Sequence, residues 1–273
     1  MIRSNPHTHT QFCDGKSTAR EMIESALAHN FLSLGFSSHA PQEIEPEYGM
    51  RDEPGYIRHI RELQQEYADR IRIRLGVEVD FEGTFHRPAY DYFLGAVHYV
   101  RYDGDRYFVV DGDPENQRKA WHEYYDRDGL AMARDYYQTI VRSVHTMKPT
   151  ILAHVDLLRK YNDGDNRLFD TKDLAYRRLA TDALEAVADT GILLEVNTGG
   201  MARGYLPTPY PDLFILEHWR KLGGRVIVGS DCHNAEQIDF AFDTALRLIA
   251  AAGYRKITRL SAGETLFEEI DLA

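Results

Sequence analysis

The chain has 273 residues, 43% hydrophobic and 27% charged, with a formal net charge of -11. That length accommodates one large domain, the composition excludes a disordered chain, and an acidic balance without a stripe of Lys and Arg excludes nucleic acid as a partner bound through counterion release. No apolar run reaches the roughly 18 residues that span a bilayer, the opening MIRSNPHTHT lacks a basic segment followed by an apolar one, and Cys13 and Cys232 are too few for a disulfide framework, so a cytoplasmic protein without a membrane role is expected.

Short apolar runs alternate with amphipathic stretches, the pattern of repeated βα units. His7 and His9 end the first candidate strand. Thr18 and Glu21 have capping-box spacing, which predicts a helix from Thr18 to about Asn30. Further strands are expected at Leu32 to Phe36, Ile71 to Val79, Phe93 to Val97, Thr150 to Ala153, Ile192 to Val196 and Arg225 to Val228, with a last piece near Ile257. Helices are expected from Pro54 to Arg70, from Glu115 to Met147 with a break near Asp128, and then over Thr171 to Asp189, Pro211 to Leu222 and Ala235 to Ala251. About seven βα repeats fill residues 1–273 as a single domain.

Candidate metal ligands fall at equivalent places on this map. His39 follows the second strand, Glu78 ends the third, His98 ends the fourth, His154 follows the strand at Ile151, and Asp231 and His233 follow the run ending at Val228. Residues two apart on a strand share a face, so His7 with His9, and Asp231 with His233, can each aim two side chains into one cavity. Asp14, in the loop after the first pair, can reach the same face. A His-x-His pair alone is weak; its recurrence with acidic residues at strand end after strand end is not accidental. One catalytic ion needs three or four protein ligands, so six imidazoles and three carboxylates suit two or three divalent ions. The N and O donors admit zinc, iron or manganese. Cys13 and Cys232 adjoin candidate ligands, but adjacent strand residues face opposite ways, so neither is expected to take part.

The series HTHTQFCDG, SSHAP, GVEVDF, GAVHYV, AHVDLLRKY and GSDCH resembles the polymerase and histidinol phosphatase (PHP) superfamily, in particular its stand-alone histidinol-phosphate phosphatases, across nearly the whole chain. The resemblance implies a distorted TIM-like (β/α)7 barrel with a trinuclear site. It assigns His7, His9, Glu78 and Asp231 to one metal, Glu78, His98 and His154 to a second, and Asp14, His39 and His233 to a third. It further implies hydrolysis of L-histidinol phosphate to L-histidinol and phosphate in histidine biosynthesis. The alternatives are a PHP phosphoesterase for another small phosphomonoester, such as a nucleotide or sugar phosphate, and a non-catalytic or polymerase-associated PHP module.

Metal-assisted hydrolysis needs no Ser, Cys or Asp nucleophile, and Asp231 or His233 can deliver the proton to the leaving oxygen. For the phosphate, Arg159, Lys160 and Arg203 sit in loops after strand ends. Glu115, Asp156 and the stretch Tyr205 to Tyr210 are candidates for the ammonium and imidazole of the substrate. Oligomeric state is not legible.

Overall fold

The structure is a computed structural model and describes residues 2–81, 83–104, 106–162, 164 and 167–272. Its strands are β1 (Ser4–Asn5), β2 (Ser33–Phe36), β3 (Arg72–Leu75), β4 (Glu78–Asp80), β5 (Leu94–Ala96), β6 (Tyr99–Asp103), β7 (Arg106–Val109), β8 (Ile151–Leu152), β9 (Leu193–Asn197), β10 (Val226–Gly229), β11 (Lys256–Leu260) and β12 (Phe267–Asp271). Most are short and buried, as apolar runs covered on both faces require. β4, β5, β8, β9, β10 and β11 pair parallel in that order, and β12 adds antiparallel at the β11 edge. β1, β2 and β3 form a second parallel sheet. Parallel bridges join the two sheets, one from His39 to Glu78 and one from Thr8 to Cys232, so the parallel strands curl around a common interior. The result is a mixed α/β fold.

The helices are α1 (Ala19–Ala28), α2 (Glu53–Glu66), α3 (Pro114–Glu123), α4 (Gly129–Met147), α5 (Leu174–Val187), α6 (Gly199–Ala202), α7 (Leu213–Lys221) and α8 (Phe242–Ala251); the short α6 borders the interior cavity and the longer ones pack on the strands from outside. The predicted capping box is formed. Thr18 Oγ1 accepts from the Glu21 N–H at 3.1 Å and Glu21 Oε2 accepts from the Thr18 N–H at 2.7 Å. No helix among the described residues is long and apolar enough to cross a membrane.

Two local readings need correction, and one element is additional. The strand expected over Ile71 to Val79 breaks into β3 and β4 at Gly76, where the Tyr92 ring packs so closely on the chain that a Cβ would collide with it. The helix expected from Ala235 starts only at Phe242, because Ala241 takes a left-handed φ of 56° after a single short turn at Ala235–Gln237. The antiparallel hairpin of β6 and β7 was not foreseen; its alternation is broken by a bulge between Arg101 and Asp103.

Apolar residues separate into two bodies. The larger packs helices on strands, whereas Leu94, Ala96, Ile151, Ala153, Leu193 and Ile227 fill the interior side of the strands. Alternation then decides what lies above this inner layer. Glu195 and Asn197 share the Leu193 face of β9, and Gly229 shares the Ile227 face of β10. Most candidate ligands sit just beyond C-terminal strand ends, where α/β barrels place their chemistry, whereas Glu78, expected to end a strand, opens β4 after the break at Gly76, and Asp14 lies in the loop before α1.

Candidate metal centre

His7 and His9 follow β1 and straddle Thr8, which is turned outward: its N–H donates to Ser37 Oγ at 3.0 Å and its hydroxyl to the Gly35 carbonyl at 2.8 Å. Both imidazoles are thereby driven inward and are completely buried. His154 and Asp231 reach the same interior from backbones held at positive φ, 23° and 51°. Such conformations are costly for residues with a Cβ and persist where the surroundings impose them, often at functional positions.

His7 Nε2 and His9 Nε2 lie 3.1 Å apart, and Glu78 Oε2 lies 3.2 Å from the first and 3.3 Å from the second. Asp231 Oδ1 closes on both, at 3.5 Å and 3.2 Å. Ligands about 2.0 Å from one ion and tetrahedrally disposed would be roughly 3.3 Å apart, so the donor set matches a single cation. A second group joins Glu78 Oε1 to His154 Nε2 at 3.0 Å and to His98 Nε2 at 3.8 Å. In a third, Asp14 Oδ2 is 3.2 Å from His233 Nε2, and Asp14 Oδ1 is 3.8 Å from His39 Nε2 and 3.9 Å from His9 Nδ1. His7 with His9 and Glu78, Glu78 with His98 and His154, and His9 with Asp14, His39 and His233 each have the spacing of ligand sets that could hold a metal. Buried Glu78 Oε2 and Asp14 Oδ1 accept no hydrogen bond, which leaves lone pairs aimed into the cluster and fits a cation there.

Electrostatics point the same way. Burial works against charge at His7, yet Glu195, Glu78 and Asp231 raise it to about 10. His98 is raised to about 10 against its burial by Asp111, Asp80 and Glu78. Burial dominates at His39, which falls to about 3. The carboxyls of Glu78, Asp231 and Asp14 are all held far below the usual range against burial, Glu78 and Asp14 by surrounding imidazoles and Asp231 chiefly by Arg203. Anionic oxygens therefore line the interior where a cation would sit.

Two carboxylates that the sequence did not single out hold these imidazoles from behind. Glu195, fully buried on β9, accepts from His7 Nδ1 at 2.7 Å, and its other oxygen accepts from the His154 N–H at 3.1 Å and Asn197 Nδ2 at 3.0 Å. Asp80 Oδ2 takes the His98 Nδ1 at 3.0 Å and the His98 N–H at 2.7 Å. Outer partners of this kind select the tautomer and turn Nε2 inward. The available signal was a charged residue inside the apolar run LLEVN. Cys232 packs into the large apolar body as expected, but Cys13 does not stand apart: its Sγ lies 3.5 Å from His9 Nδ1.

A cavity of about 540 Å³ opens over the cluster, with Arg203 and Lys160 in its wall. Arg203 clamps Asp231, with Nη2 2.8 Å from Oδ2 and Nη1 3.1 Å from the carbonyl. Lys160 Nζ is 2.6 Å from the Asp111 carbonyl and 4.6 Å from the centre of the Tyr205 ring. Arg159 corrects the sequence reading. It does not line the cavity; its guanidinium is buried against Asp156 Oδ2 at 3.0 Å, Thr208 Oγ1 at 3.1 Å and the Pro209 carbonyl at 2.8 Å. Asp156 is consumed by that contact and fully buried, and Glu115 is exposed in the first turn of α3, so neither faces the cavity.

Known proteins resemble this chain over most of its length. A "Probable histidinol-phosphatase" of Deinococcus radiodurans is 30% identical over 267 residues, covering 92% of this chain and 94% of the relative. The histidinol-phosphatase of Bacillus subtilis is 27% identical, covering 90% of this chain and 99% of the relative. Among solved structures, a histidinol phosphate phosphatase from Lactococcus lactis, complexed with zinc, L-histidinol and phosphate, superimposes with a TM-score of 0.67 at 21% identity, covering 96% of this chain and 98% of that one. The family profile described as the PHP domain matches residues 5–199, and with that match extending over most of its length the chain belongs to the PHP family.

Proposed function

We propose that this protein is a metal-dependent histidinol-phosphatase, hydrolysing L-histidinol phosphate to L-histidinol and phosphate. The observation that carries the reading is the convergence of His7, His9, Glu78 and Asp231, with each imidazole Nε2 within 3.5 Å of an oxygen of both carboxylates, on a chain whose relatives over about nine-tenths of its length are named histidinol-phosphatase or probable histidinol-phosphatase. The bridges that join the two sheets support a closed (β/α)7 arrangement, and we take residues 1–273 as one catalytic domain. His7, His9, His39, His98, His154 and His233 with Glu78, Asp14 and Asp231 would hold up to three ions, zinc being the one present in the Lactococcus lactis structure.

Divalent ions in such a site activate water, hold phosphoryl oxygens and offset charge on the departing oxygen. The chain's own groups do the rest. Glu195 and Asp80 orient the imidazoles of His7 and His98. Arg203 and Lys160 present cationic donors to the phosphate, and Asp231, held at the cavity by Arg203, is placed to pass a proton to the leaving alkoxide. His233, 3.8 Å from Asp231 at Nδ1, is the other group placed for that transfer.

The test combines metal analysis with phosphate release from L-histidinol phosphate before and after chelation, and after metal is restored. Chelator-sensitive, metal-restored release is expected. Release indifferent to chelation would refute the reading, and faster turnover of nucleotide or sugar phosphates would move the substrate elsewhere within the phosphomonoesters.

A further inference from the structure

Five carboxylates line the cavity over the ligand cluster: Asp14, Glu45, Glu78, Asp111 and Asp231. Four have an imidazole or a cation against them. Asp14 meets His233 at 3.2 Å, Glu78 meets His154 at 3.0 Å, Asp111 meets Lys160 at 3.4 Å and Asp231 meets Arg203 at 2.8 Å. Glu45 alone among them makes no ion pair with any described residue.

Its placement is built rather than loose. Glu45 holds a left-handed φ of 49°, and its carbonyl accepts from the Tyr48 N–H at 3.1 Å and Gln42 Nε2 at 3.3 Å. Tyr99, beside His98 at the root of the β6–β7 hairpin, donates its hydroxyl to Glu45 Oε2 at 3.0 Å. One carboxyl oxygen is thus pinned from the protein side. The charge is undercompensated: burial first, then Asp111 and Glu47, push this carboxyl above its ordinary range, and the Tyr99 hydroxyl and His98 only partly oppose them. A half-buried carboxylate held in place without a counter-ion is a receptor for one.

We propose that Glu45 is a specificity-determining residue which binds a protonated amine carried by the substrate a few bonds from its phosphate, Tyr99 serving as its positioning residue. This rests on the histidinol-phosphatase reading and extends it. The phosphate end of the ligand is held at Arg203, Lys160 and the metal ligands, and the ammonium is taken up at the Glu45 wall of the same cavity. Glu45 replaces Glu115 and Asp156 as the carboxylate for that group.

The test compares kcat/KM for L-histidinol phosphate with that for its deamino analogue, 3-(imidazol-4-yl)propyl phosphate, in the metal-loaded wild type and in Glu45→Gln and Tyr99→Phe. The wild type should prefer the amine-bearing ester. Glu45→Gln should lower that preference about 10- to 100-fold, the scale of one charge-assisted hydrogen bond, with most of the loss in KM. Tyr99→Phe should lower it less. A preference unaltered by Glu45→Gln, or a wild type that turns over both esters equally, overturns the role of Glu45 while leaving the phosphatase standing. Failure of the wild type to release phosphate from either ester removes the functional reading itself, and the proposal with it.

Discussion

Glu195→Gln alters the support of the metal centre with little change in volume. The carboxylate serves three donors with two oxygens: His7 Nδ1 at 2.7 Å on one, the His154 N–H at 3.1 Å and Asn197 Nδ2 at 3.0 Å on the other. Glutamine has a single oxygen, so its NH2 must face one of these sides. Turned toward His7, it forces the imidazole to accept at Nδ1 and carry its proton at Nε2, the atom 3.2 Å from Glu78 and 3.1 Å from His9. Turned toward His154, it leaves a fully buried N–H without a partner, at a residue already held at a φ of 23°. Either way one charge-assisted hydrogen bond is lost, worth about 1.5–3 kcal/mol, which corresponds to roughly 10- to 150-fold in an equilibrium constant. Loss of an outer partner from a metal-ligating histidine typically weakens metal binding about 10- to 100-fold, in agreement. The assay is competition for zinc against a chromophoric chelator, alongside circular dichroism to establish that the variant is folded. A folded Glu195→Gln protein that binds zinc as tightly as wild type would refute the assignment of His7 as a ligand oriented by Glu195.

Three further outcomes are expected. Gly229→Ala would drive a methyl onto the Glu195 carboxylate and to 2.9 Å from His7 Cβ, so a loss of about 1–3 kcal/mol in denaturant unfolding should accompany weakened zinc binding; a neutral substitution would mean the interior is looser than these contacts imply. His7 and His98, raised from 6.5 to about 10, stabilise the metal-free fold fully below pH 6.5, and that stability drains away as pH climbs through 10. Thermal melts of metal-free protein should therefore decline over that window. Because His9 too is raised well above 6.5, zinc titration calorimetry near pH 7.5 should show about three protons released when His7, His9 and His98 are all engaged, read from buffers of different ionisation enthalpy; heats independent of buffer would contradict it.

Much of the centre was legible because strand ends are punctuated. Most candidate ligands follow short apolar runs, and side-chain alternation brings His7 with His9, and Asp231 with His233, to one side. The capping box at Thr18 and the break before Gly129 are local events, decided by residues three or four apart, and they appear where the sequence predicts them. The hairpin at Tyr99–Val109 escaped because its strands are short and its register shifts at Arg101.

What the sequence by itself determined was the set of residues able to hold metal and the end of the strands on which they gather, since both follow from period-two alternation and from residue chemistry. Only tertiary structure decided which charged groups are spent on one another. Arg159 and Arg203 look alike as loop guanidiniums, yet Asp156 and Pro209, three and fifty residues away, bury the first, while Asp231 holds the second at the cavity. Glu195 reads as an anomaly in an apolar strand until His7, 188 residues earlier, is brought against it. Partnership between charges depends on distance and desolvation, and those quantities come into being only when the chain is folded.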